Sequence, residues 1–436
     1  MTWLAKILSV LITLSLLAVT ATAGAPEASE FVIKTPDLRW RKVLIPVSFS
    51  NSLLKASPAI RPDSDIQGAI RRSLDAWEAV ANIEFQVSWT DRLSVSPAGN
   101  TGDGTNLVTI AQTAENLLVF GGDSNDIPAR TRVFFNRRSE ISEADIVLNP
   151  YQQFSTDGSI GTFDFESTLT HEIGHLLGLE HSTISGATMH EQQGKNGTFN
   201  LSNFSPRTLS EDDVSQIRSI YGARDEADCC GSIDGKITFT GVKTAKNLNL
   251  WLEAAETGRV VTGTKISSDG SFQLRGLPAG KYSVYAQDTA GTFGGQALGE
   301  VEVYKGKTAG LLKKIVPSAK DFAVQFTGFN GQLSKLAIPI NGGKSYMIYF
   351  AGKNLNPDEL KIGSTSPFFT VSSSNIVKYD YGKDISVFSV EIKSTSETPV
   401  GEYTIFLQKA DGKTEFLPGN LAVEKFVNSF SNITFD

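Results

Sequence analysis

The stretch Thr170-His171-Glu172-Ile173-Gly174-His175-Leu176-Leu177-Gly178-Leu179-Glu180-His181-Ser182 constrains this chain more than any other. On a helix, residues four apart share a face one turn away from each other, so His171 and His175 can offer their imidazoles to one ion. Two ligands bind weakly. Gly178 tolerates the positive φ that ends a helix, which lets the chain turn and bring back His181 as a third nitrogen donor. Three protein donors leave a fourth position for water, as expected of a catalytic rather than a structural zinc. Zinc lowers the pKa of a bound water toward ~7, and Glu172, beside the first ligand, is placed to take the proton of that water as a general base. Only four histidines occur in the chain, and three of them take this spacing. Imidazoles merely satisfied inside a buried helix have no reason to do so.

With 436 residues and the usual ~100 to 200 residues per domain, two to four domains are expected. The 40% hydrophobic and 20% charged residues are ordinary globular values, which argues against wholesale disorder and against a polytopic membrane protein. A net charge of -7 with no clustered basic face excludes a nucleic-acid partner. At the N-terminus, Lys6 precedes an apolar run from Ile7 to Val19 and small residues Ala21-Thr22-Ala23. This reads as a secretory signal over 1–23, because the run is shorter than the ~20 residues a spanning helix needs. A secreted location, extracellular, periplasmic or at a cell surface, is expected, with no stable membrane insertion after cleavage. Residues 24–34 read as a linker or short propeptide. Cys229 and Cys230 are the two cysteines; being adjacent, they can form a vicinal disulfide, bond another chain or remain thiols, and none of these staples a domain.

Residues 35–222 read as one domain. Val43 to Phe49 alternates as a strand, and Ser64 to Asn82 carries Ile66, Ile70, Leu74 and Trp77 at helical spacing. Strands are expected at Ile83 to Val87 and Leu107 to Ile110, and a hairpin pairs Thr131–Asn136 with Ala144–Leu148. A second helix carries Glu166 to Leu177. A third begins at Ser210, with Asp213 three residues on completing a capping box, and stops at Gly222. Beyond Cys230 helical periodicity gives way to short alternating strands separated by Gly, Asp and Asn, which predicts two all-β sandwiches at 231–306 and 318–426.

The pattern His-Glu-x-x-His-x-x-Gly-x-x-His at 171–181, with Ser182 after it and Met189 eight residues beyond in Ser185-Gly186-Ala187-Thr188-Met189, resembles the metzincin metalloproteases of the matrixin branch. Ala144-Asp145-Ile146-Val147 and Asp212-Asp213 with Ile220-Tyr221-Gly222 are similar to the strand before and the helix closing that domain. The resemblance implies an α+β fold, a twisted mixed sheet with three main helices followed by the two sandwiches. It further implies one catalytic zinc on His171, His175 and His181 above a Met189 floor, Glu172 as base, and protein or peptide substrates extended along an edge strand, here Thr131 to Asn136. No histidine precedes His171, so the second, structural zinc of animal matrixins is not expected. Nor is their cysteine latch, since Gly24 to Lys34 is short and has no cysteine. Glu27, Glu30 and Asp37 are better read as solvated linker charges than as carboxylates covering the metal. His190-Glu191-Gln192-Gln193 stands where the family often has a Tyr and a Pro-x-Tyr wall. His190 there is more readily a pocket-rim imidazole than a fourth ligand. The family often binds calcium (Ca2+), for which Asp103, Asp157 and Asp164 in Gly-containing loops offer oxygen, although the same residues serve ordinary turns.

Gly231 to Ile237 and Asp269 to Tyr282 resemble the regulatory-like sandwich that follows some carboxypeptidases, and Pro399 to Ile405 looks like an immunoglobulin-like strand pair. Both read as accessory modules for substrate docking, spacing, or attachment to a cell-surface or matrix ligand. Three functions therefore stand against one another. The first is a secreted zinc endopeptidase, the second an adhesin or binding protein with an inactive protease-like domain, and the third an exopeptidase. Intact Glu172 disfavours the second; the third has no recognisable group to capture a chain terminus.

Overall fold

In a computed structural model the structure describes residues 37–99, 101–121, 127–202, 207–225, 229–240, 247–291, 293–380 and 385–424. The expected signal (1–23) and linker (24–34), with Glu27 and Glu30, lie outside the described residues. The first region builds strands β1 (Leu44–Ser50), β2 (Glu84–Thr90), β3 (Leu107–Thr109), β4 (Ala129–Phe135) and β5 (Ile141–Leu148) into one five-stranded sheet of order β2-β1-β3-β5-β4, and the short β6 (Phe154–Ser155) and β7 (Phe163–Asp164) into a parallel pair. Parallel pairing runs through β5, and β4 closes the edge antiparallel to it, with Thr131 opposite Ile146 and Val133 opposite Ala144. The expected hairpin is therefore present, and the expected substrate strand is a sheet edge.

Helices α1 (Ile66–Glu78), α2 (Ala114–Leu118), α3 (Phe165–Leu176) and α4 (Glu211–Tyr221) accompany the sheet. The predicted spacing on α1 places Ile66, Ile70, Leu74 and Trp77 in the core, where they meet Ile45, Val47 and Phe49 of β1 and Leu169, Ile173 and Leu176 of α3. The short α2 was not foreseen, since five residues give too little periodicity to read. The capping box forms as expected: Ser210 Oγ accepts from Asp213 N, and the Asp213 carboxylate accepts from Ser210 N at 2.8 Å.

From Cys229 onward all described elements are strands. Cys229 and Cys230 are joined to each other as a vicinal disulfide. A first pair of sheets uses β8 (Cys229–Phe239), β9 (Leu248–Ala254), β10 (Val260–Lys265), β11 (Ser271–Pro278), β12 (Gly280–Asp288), β13 (Gln296–Val303) and β14 (Thr308–Ile315). The orders are β10-β9-β12-β13 and β11-β8-β14, around a core that includes Ile233, Leu250, Leu252, Phe272, Leu274 and Val284. Strand β14 corrects the expected end at 306, because it pairs in parallel with β8 over its whole length. The second pair of sheets spans Ala323–Phe329 to Thr414–Val423, with a core containing Ile348, Phe350, Phe388, Val390, Tyr403 and Ile405. Both sandwiches contain a Pro-x-Gly-x-Tyr turn: the Tyr282 hydroxyl donates to the Pro278 carbonyl and that of Tyr403 to Pro399, each at 2.7 Å. The side chain thus satisfies the carbonyl of the turn proline while its ring enters the core.

The sandwiches are not loosely appended. The described residues, from Asp37 to Glu424, fall within one compact unit. Phe199, from the region following the histidines, is fully buried in the core of the second sandwich, and its N–H donates to Gln332 Oε1 at 2.6 Å.

Candidate metal centre

Helix α3 is built to hold two histidines at fixed height. Asp164 caps its start by accepting from Ser167 N at 2.9 Å and is itself paired with Arg207. Along the helix, Trp77 Nε1 donates to the Thr170 carbonyl at 3.0 Å. At the far end, Trp40 Nε1 donates to Leu176 O (2.9 Å) and the Tyr221 hydroxyl to Leu177 O (2.7 Å), satisfying carbonyls that the helix leaves open. Gly178 ends the helix with φ +96°. Its N–H reaches His175 O and the Leu179 N–H reaches Gly174 O, a Schellman arrangement that needs the left-handed region at Gly178. The turn sends the chain back past the helix and delivers His181.

His171, His175 and His181 converge, and among the described residues they form the one cluster of three or more His, Cys, Asp or Glu side chains able to hold a metal ion. Nε2 of His175 lies 3.1 Å from that of His171 and 3.2 Å from that of His181. His171 Nδ1 faces the Thr188 carbonyl at 2.7 Å and His175 Nδ1 the Leu179 carbonyl at 2.8 Å. A carbonyl only accepts, so both Nδ1 atoms carry the proton and both Nε2 atoms present lone pairs to each other. Two bare lone pairs at this distance repel each other unless a cation lies between them. Zn–N bonds of ~2.0–2.1 Å in a tetrahedron put nitrogens about 3.3 Å apart, close to the observed spacing. Burial holds the His171 imidazole well below its ordinary pKa and lowers His175 and His181 as well, which keeps all three as neutral donors. The donor set fits zinc.

Glu172, next to His171 on α3, is buried. Burial pushes its carboxyl up to about 7, against the pull of the Thr131 hydroxyl, which donates to Oε2 at 2.6 Å. Thr131 lies on β4, so the sheet edge and the carboxylate meet in a cleft of ≈ 660 Å³ that Arg130, Thr131, His171, Glu172, His175 and His181 help to line. This volume is within the range of ligand sites. Glu191, Gln192 and Gln193 form part of its wall, with Gln193 Oε1 accepting from Thr168 Oγ1 at 3.0 Å. His190 stands outside the cluster and accepts from Gln192 N.

Met189 is buried, with its sulfur against Gly174, which lies between His171 and His175 on α3. Its N–H and that of Thr188 both donate to the Asp213 carboxylate, at 3.0 and 2.9 Å. The candidate calcium ligands are not brought together. Asp103 bonds the Thr105 N–H and Arg92, Asp157 bonds Ser159, and Asp164 caps α3. Asp37 is exposed. Thr131 and the Asp212–Asp213 pair carry more of the site than sequence reasoning assigned to them. Their contacts join residues far apart in the chain, and no local pattern encodes these.

Residues 123–222 match the matrixin family model, Peptidase M10. Metalloendoproteinase 1 of Glycine max is 28% identical over 176 residues, covering 38% of this chain and 48% of that protein. Matrilysin of Homo sapiens is 38% identical over 69 residues, 16% of this chain and 24% of its own length. The chain carries a matrixin-like catalytic domain. It spans about half the length, or less, of these curated relatives. Among solved structures, the major pilin subunit of Bacillus cereus is 14% identical over 43% of this chain and 66% of its own, with a TM-score of 0.17, too low to bear on the argument.

Proposed function

We propose that this protein is a secreted zinc-dependent endopeptidase. The observation that carries the reading is the convergence of three imidazole Nε2 atoms, two of them deprotonated by their Nδ1 bonds to carbonyls, beside the buried carboxylate of Glu172. His171, His175 and His181 would hold one zinc, which supplies charge to polarise a scissile carbonyl and to acidify a water. Glu172 accepts the water's proton and returns it to the leaving amine; a carboxyl near 7 exchanges protons readily in both directions at neutral pH. The open side of β4 receives an extended peptide by main-chain hydrogen bonds and sets the scissile bond against the carboxylate. No protein nucleophile is required. Secretion belongs to the same proposal and rests on residues 1–23.

The test compares wild type and Glu172→Ala on an unfolded protein substrate, with zinc measured on both. Wild type should hold one zinc and cleave, and the variant should hold zinc and lose activity by several orders of magnitude. Equal cleavage by the two, or a wild type without zinc, would sink the mechanism. Zinc without cleavage in the wild type would favour an inactive protease-like domain on a binding protein.

A further inference from the structure

The segment from His181 to Met189 hangs between α4 and both sandwiches. Ser182, directly after the third histidine, donates its hydroxyl to Asp212 Oδ2 at 2.5 Å. The other oxygen of that carboxylate accepts from Gly263 N at 2.7 Å and Thr262 Oγ1 at 3.0 Å, both on β10 of the first sandwich. Asp212 is 1% exposed, so water does not compete for these bonds. Two residues past Ser182, the fully buried Ile184 enters an apolar cluster with Trp251 and Val260 of the first sandwich and Phe416 of the second. The next N–H, of Ser185, donates to the Pro418 carbonyl at 3.2 Å. None of Thr262, Gly263, Trp251, Val260, Phe416 and Pro418 lies within the residues that match the family.

We infer that the first sandwich is a positioning element of the metal centre, with Thr262 acting through Asp212 and Ser182 to fix the third histidine. The inference rests on the zinc reading above. Groups that orient ligands from outside the coordination sphere govern how long a site retains its metal. His181 is the exposed member of the triad and lies on a loop rather than on α3, so it is the ligand most dependent on such support. The C-terminal region thereby contributes to the chemistry of the site instead of only tethering it.

The experiment uses the full chain loaded with zinc and follows metal transfer to a coloured chelator, with thermal unfolding of the zinc-free protein in parallel. Thr262→Val removes the hydroxyl at nearly constant volume and should release zinc about 10-fold faster. Thr262→Ser keeps the donor and should stay within about twofold of wild type. Because the path runs through Ser182, Thr262→Val should add little to the effect of Ser182→Ala, whereas independent contributions multiply. A part in folding alone would lower zinc-free stability and leave release unchanged. Unchanged release in T262V, or multiplicative effects in the double variant, overturns the inference. A wild type that binds no zinc overturns both this inference and the zinc reading. Should T262V fail to fold, Ile184→Val carries the same expectation of faster release from the same junction.

Discussion

The Glu172 carboxylate is buried, and the Thr131 hydroxyl donates a hydrogen bond to it from 2.6 Å. That bond fixes which way the carboxylate points, and it comes from the strand along which a peptide substrate would lie. A hydrogen bond to a charged group contributes about 1.5–3 kcal/mol. Thr131→Val should therefore lower kcat by about 10- to 100-fold, with KM and zinc content near wild type, while Thr131→Ser restores kcat. Steady-state kinetics on a peptide substrate would check this; an unchanged kcat in the valine variant would mean that packing alone orients Glu172.

At the scale of elements, α4 does two separable tasks. Its capping box stabilises its own first turn, while the Asp213 carboxylate also holds the N–H groups of Met189 and of Thr188, whose carbonyl faces His171. Ser210→Ala should cost about 1 kcal/mol, the usual worth of an N-cap. Asp213→Ala should cost clearly more, because two buried N–H groups lose their acceptor at roughly 1–3 kcal/mol each. Urea unfolding of the two variants would measure the difference. Similar losses in both would show that the loop finds other partners once the carboxylate is gone.

For the whole molecule, the junction of the three regions gathers acid. Burial pushes the Glu402 carboxyl up to about 8, aided by the charge of Asp213 and then of Glu211 and Asp212. Arg259 lies beside it, paired with Glu211. The sign follows from linkage: a raised folded-state pKa means that the folded protein binds the proton more tightly than the unfolded chain. Its stabilising contribution is complete below the ordinary carboxylate pKa and is lost as pH rises through about 8. Melting temperature should thus fall from mildly acidic to mildly alkaline pH, and Glu402→Gln should flatten that fall and melt higher than wild type at the alkaline end. Parallel pH dependence in both proteins would remove Glu402 from the junction's electrostatics.

Local periodicity was enough to place α1, α3, α4 and the β4–β5 hairpin, because each depends on a spacing of apolar or capping residues within its own segment. The three histidines, Glu172 and the turn at Gly178 were legible for the same reason: one helix and one bend bring them together. What lay beyond sequence reading is long-range. The hydroxyl of Thr131 reaches Glu172 from the edge strand, Trp40 and Tyr221 close α3 from opposite ends of the domain, and Thr262 of the first sandwich reaches Asp212 on α4. Such contacts are made by whichever surfaces packing brings face to face, and their residues have no spacing relation along the chain. The sequence by itself therefore determined the three histidines and the glutamate that we propose as metal ligands and base, whereas the tertiary structure decided that the two sandwiches close around the loop that carries His181.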